Sequence, residues 1–138
     1  MKDYNQPISI KIPIKPEYIG VARLVIAAYA GFLGFDSETT EDIKIAVSEA
    51  CTNAILQLHK ESYPESSMVK VTSYAKDGRL IIEIKYPTKE VVSIEKIPSQ
   101  AHERDLGMSI LTSIMDKVET TRAKDHNIII RLIKKIPK

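Results

Sequence analysis

Cysteine is nearly absent from this chain: Cys51 is the only one. A single thiol excludes an internal disulfide, and its place inside a helical pattern marks it as a small buried apolar side chain. The three histidines are scattered, so with one cysteine they offer no metal-cluster spacing. An excess of one charge is also lacking. The net charge is +2 over 138 residues, which does not call for a nucleic-acid partner. No apolar run is long enough for a signal peptide or a membrane span, the N-terminal "MKDYNQPISIKIPI" included. A reducing, cytoplasmic setting is therefore expected. There is no internal repeat and no low-complexity segment.

What is present suits one soluble globular domain over residues 1–138. Apolar residues make up 43% and charged residues 28% of the chain. The C-terminal "RLIKKIPK" is locally basic and reads as the end of an edge strand, where lysine discourages pairing.

"ISIKIPI" alternates at period two, as a strand does, and Pro13 suggests an edge position. "PEYIGVARLVIAAYAGFLGF" reads as a first helix. Pro16 suits its first turn, Ile19, Leu24, Ala27, Ala28 and Gly31 share an apolar side, and Gly34 stops it. "DSETTED" supplies N-cap residues for a second helix over about 40–60, and "YPESS" ends that helix. "MVKVTSYAKDGRLIIEIKYP" is a hairpin signal around "KDG". A long loop follows, then a third helix in "LGMSILTSIMDKV", and a last hairpin around "KDHN". The order β-α-α-β-β-loop-α-β-β predicts an α+β, two-layer α/β sandwich. Its sheet is expected to be mixed but mostly antiparallel, with about three helices on one face.

The second helix carries the candidate chemistry. At about 100° per residue, Ile43, Val47, Ala50, Cys51, Ala54 and Leu58 form one stripe, the predicted core contact. Glu49 and Asn53, four apart, are neighbours on the flank of that stripe, with Asp42 and Lys60 nearby, and Gln57 continues the spacing. A carboxylate can accept a proton, and an amide oxygen can join the shell of a divalent cation. On spacing alone, the pair also fits an ordinary polar flank.

"EDIKIAVSEACTNAI" closely resembles the N-box of the anti-sigma factor serine kinases, the RsbW and SpoIIAB group of the GHKL ATPase superfamily. "LGMSILTSIMDKVE" resembles the G2 segment and its following helix, and "VARLVIA" the first-helix segment of the same regulators. The resemblance implies the GHKL, or Bergerat-type, ATPase fold, with ATP and magnesium as cofactors. By it, Glu49 is the general base toward a serine of an antagonist protein, and Asn53 is the magnesium ligand. Gly107 and Arg104 lie on the phosphate side, and Arg23 belongs to the partner surface. The implied partners are a sigma factor and a STAS-type antagonist, with no direct contact to nucleic acid or membrane, and a homodimer is expected.

The nucleotide boxes depart from the pattern. In "LIIEIKYPTKE" the Asp-x-Gly-x-Gly positions of the family are held by Tyr86, Thr88 and Glu90. "ERDLGMS" keeps one glycine, Gly107, with Asp105 at another glycine position. An adenine-side threonine aligns with Ile129, and the histidine and glycine that follow the N-box become Gln57 and Leu58. Several lost hydrogen-bond partners, at about 1–3 kcal/mol each, are enough to remove measurable ATP affinity. The expected function is thus an anti-sigma-factor-like regulator by partner switching, with weak or lost ATP binding. The alternative is an active ATP-dependent serine-protein kinase acting on the antagonist.

Overall fold

The computed structural model describes residues 6–89, 105–123 and 125–137. Strand β1 (Ile8–Pro13) leads through a 3₁₀ turn at Pro16–Tyr18 into helix α1 (Ile19–Phe32). Gly34 ends that helix with φ at +96°, a left-handed conformation that favours glycine. Helix α2 (Ser37–Lys60) follows, and Asp36 is its N-cap, accepting from the Thr39 amide at 2.7 Å. Strands β2 (Met68–Lys76) and β3 (Arg79–Pro87) form the expected hairpin. Asp77 and Gly78 both have positive φ, the twist that a two-residue hairpin turn needs. Helix α3 (Asp105–Ile114) precedes β4 (Lys117–Arg122) and β5 (Asn127–Lys135).

The sheet runs β1-β2-β3-β5-β4, and each of these pairings is antiparallel. β1 is an edge, as Pro13 suggested. β5 is not. It lies between β3 and β4, so the basic C-terminal run is no edge protection. Lys134 instead turns inward, where its Nζ donates to the Ile114 carbonyl at 2.7 Å and stabilises the end of α3. Alternate residues of the strands, among them Val69, Val71, Leu80, Ile82, Ile84 and Leu132, join the helices in one core cluster. α2 is the middle helix, touching α1, α3 and β3. Its predicted stripe is fully buried.

The side of α1 that meets the core differs from expectation. Ile19, Ala22, Ile26, Tyr29 and Ala30 are buried, whereas Leu24 is 65% exposed and Ala28 and Gly31 are exposed. α1 is apolar nearly all round, with Arg23 its one charge, so periodicity could not select the buried face.

Two stability predictions follow from these elements. The Asp36 carboxyl is held below its ordinary value by the Thr39 amide. A depressed folded-state pKa means stabilisation present above the unfolded value and lost as pH falls through the folded one. Asp36→Ala is therefore expected to lower the urea midpoint at pH 7 and to have no further effect near pH 2. The Ser73 hydroxyl is fully buried on the core side of β2 and has no hydrogen-bond partner among the described residues. Ser73→Ala is expected to raise stability by about 1 kcal/mol in urea unfolding, because an unsatisfied buried hydroxyl is destabilising.

Candidate functional site

Ser48 lies toward α1, and Arg23 Nη1 donates to its Oγ at 3.5 Å. Asn53 is five residues on, about 140° round the helix, on the flank turned away from α1. Glu49 stands on the ridge between the two sides.

On the α1 side an open groove of about 400 Å³ runs between α1 and α2, lined by Gly20, Arg23, Leu24, Lys44, Ile45 and Glu49, among others. The structure thus brings together Arg23 and Glu49, which the sequence placed in separate roles. The lining mixes charged side chains with two exposed apolar ones, Leu24 at 65% and Ile45 at 50%. Lys44 is paired with Glu41 at 3.0 Å. Such a surface can hold a protein element and present Glu49 to it. Lys44, Ile45 and Ser48 were not singled out from the sequence. Their signal was there: Glu41, Ile45 and Ser48 recur at helical spacing on the side opposite the core stripe.

On the other flank Asn53 is only 8% exposed, and its side chain makes no hydrogen bond among the described residues. A largely buried residue whose amide keeps open hydrogen-bonding capacity fits a role toward a cation or phosphate oxygen. Gln57, the third polar residue of the series, is used internally: its amide donates to the Glu61 carboxylate. Leu58 is fully buried core.

The position aligned with the family's base-binding carboxylate belongs to the core. Tyr86 is 2% exposed, among the largest fully buried side chains, and lies on the core face of β3 directly opposite buried Ile128. Among the described residues no carboxylate stands at this position to accept from an adenine amino group. Ile129 pairs with Lys85, so by strand alternation it stands on the other face of the sheet, away from Tyr86. The alignment of Ile129 with the adenine-side threonine is therefore corrected: the core-facing neighbours at this level are Ile128 and Ile130.

Just past β3, Thr88 is buried, and its hydroxyl donates to Glu61 at 3.2 Å while the Lys89 amide donates to the same carboxylate at 2.6 Å. Lys89 Nζ returns to the Glu61 carbonyl at 3.0 Å and lies 4.8 Å from the Tyr63 ring centre. The segment where glycines would approach a nucleotide is thus fastened to the end of α2. Glu61 was missed in the sequence, since nothing local pairs it with residues 27 and 28 positions away. Gly107 and Asp105 fall in the first turn of α3, with their immediate surroundings outside the described residues, and Glu90 and Arg104 are likewise outside them.

Residues 12–134 match the histidine kinase-like ATPase domain family. The chain is similar to the serine-protein kinase RsbW of Bacillus pumilus, with 35% identity over 81% of this chain and 76% of that protein. It is also similar to RsbW of Bacillus subtilis, with 30% identity over 92% and 83%. Among solved structures it resembles one from the SiaB–SiaC complex of Pseudomonas aeruginosa, at a TM-score of 0.70 and 14% identity, over 91% of this chain and 88% of that one. The RsbU and RsbW domains of a Mycobacterium tuberculosis protein align at a TM-score of 0.69 and 13% identity, over 97% of this chain and 33% of that one. These structural matches establish a shared fold.

Proposed function

The chain belongs to the histidine kinase-like ATPase domain family, and from that premise we propose that it is an anti-sigma-factor-like regulator that works by partner switching. It holds a sigma factor or a STAS-type antagonist in the α1–α2 groove, with ATP binding weak or lost. The observation that carries this reading is the contrast between the two ends of the site. The groove beside Arg23 and Glu49 is open, while Tyr86, at the position of the family's base-binding carboxylate, is a core side chain opposite Ile128, and the segment after it is tied to Glu61. A homodimer, common among such regulators, is part of the proposal.

One observation favours a second reading, an active serine-protein kinase. Asn53 is largely buried and its amide has no hydrogen-bond partner among the described residues, one turn from Glu49. In that reading Asn53 would hold magnesium, Gly107 and Arg104 would serve the phosphate side, and Glu49 would take the proton from the partner's serine hydroxyl.

Calorimetry separates the two. Under the first reading, ATP with magnesium gives no binding tighter than about 1 mM. A dissociation constant near 10 μM, typical in scale of a working nucleotide site, would establish the second. In that event Glu49→Gln should lower phosphorylation of the antagonist by about 10²–10⁴-fold while leaving its binding intact. Undiminished phosphorylation would remove Glu49 from the role of base.

A further inference from the structure

The face of the sheet turned away from the helices carries two files of cations in direct register. Lys11, Lys70 and Lys85 stand opposite one another across β1, β2 and β3. Lys76, Arg79 and Lys135 do the same across β2, β3 and β5. Adjacent strands are about 4.8 Å apart, and like charges directly opposite each other are destabilising. Among the described residues only Lys85 of these six has an ion-pair partner, Asp125 at 3.1 Å. The whole chain has a net charge of only +2, so positive charge is concentrated here. Edge protection does not account for it, because β2, β3 and β5 are internal strands.

The row between the files is balanced. Arg131 Nε donates to Glu83 at 2.9 Å and Nη1 to Glu119 at 3.3 Å, while Tyr74 donates to Glu83 at 3.1 Å. Lys85 and Arg79 are six residues apart on β3, which puts the files about 20 Å from each other. The face therefore has two positive ends and a middle containing two glutamates and partly buried aliphatic side chains such as Ile81 and Ile133.

We propose that this outer sheet face docks an acidic protein surface whose anionic groups meet the two cation files. The middle decides the class of partner. Its charges are used among themselves, Glu83 and Glu119 by Arg131 and Glu119 also by Lys117, so it offers no open cation to a continuous phosphate backbone or an anionic bilayer, whereas a protein can place neutral or apolar groups there. Tyr74, with its hydroxyl tied to Glu83, gives no stacking platform for single-stranded nucleic acid. A second copy of this chain, laid face to face, would set lysine against lysine. The surface is separate from the α1–α2 groove and does not depend on its reading.

The full chain can be titrated with a peptide of two glutamate blocks joined by a neutral Gly/Ser segment spanning about 20 Å, and in parallel with duplex DNA of equal charge and with phosphatidylcholine–phosphatidylglycerol vesicles. The two-block peptide should bind the most tightly, with affinity falling as salt rises. Lys70→Glu should weaken that binding by at least about tenfold. The same change should raise the melting temperature, because it turns two repulsive cross-strand pairs into attractive ones. Lys76→Glu on the second file should weaken binding similarly, and Lys60→Glu on the helical layer should not. Four results would overturn the proposal: unchanged binding by Lys70→Glu and Lys76→Glu; an equal loss in Lys60→Glu; tighter binding of DNA or vesicles; or a dimer that Lys70→Glu dissociates in sedimentation velocity.

Discussion

Tyr86→Ala is expected to lower the unfolding free energy by about 3–5 kcal/mol, the scale for removing a large aromatic side chain from a packed interior. Tyr86 is 2% exposed, belongs to the core cluster, and faces Ile128 across the β3–β5 pairing. Domain stabilities are about 5–15 kcal/mol, so the variant should still fold in part and its urea midpoint should be measurable. A loss below about 1 kcal/mol would mean that the ring is not packed as described. The substitution should not create an ATP site. Alanine brings no acceptor for the adenine amino group, and Thr88 and Lys89 remain held by Glu61.

If the proposed function holds, Arg23→Glu should weaken binding of a sigma factor or a STAS-type antagonist by about hundredfold or more. Arg23 is the only charged residue of α1, it is exposed, and it borders the groove that Glu49 also lines. A partner that supplies an anion to Arg23 would meet a like charge instead, and such juxtapositions cost several kcal/mol in a protein interface. The loss is a binding effect rather than unfolding, because the hydrogen bond given up among the described residues is a long one, 3.5 Å to Ser48. Circular dichroism should be unchanged. Dissociation constants within about twofold of the unmodified chain would place the partner surface elsewhere.

Most of the architecture was legible because each element carries its own signal. Asp36 and the acids after it start α2, positive-φ residues at Asp77 and Gly78 turn the hairpin, and the stripe from Ile43 to Leu58 is the buried side. α1 was legible as a helix but not in orientation, since its apolar residues surround it. The basic C-terminal run was misplaced for a different reason. Whether a strand is an edge depends on where the chain returns, and β5 returns between β3 and β4.

The candidate site divides along the same line. Spacing on one helix is enough to set Glu49 beside Asn53, because α-helical geometry is local. Nothing local sets Glu61 against Thr88 and Lys89, or aligns Lys11, Lys70 and Lys85 in one file. The sequence by itself determined the family, the order of elements, the core stripe of α2 and the loss of the nucleotide-box residues. Only the tertiary structure decided that Tyr86 is core, that Arg23 and Glu49 share a groove, and that cations gather on the outer sheet face. Each of these depends on strand register and helix packing, which join residues far apart in the chain.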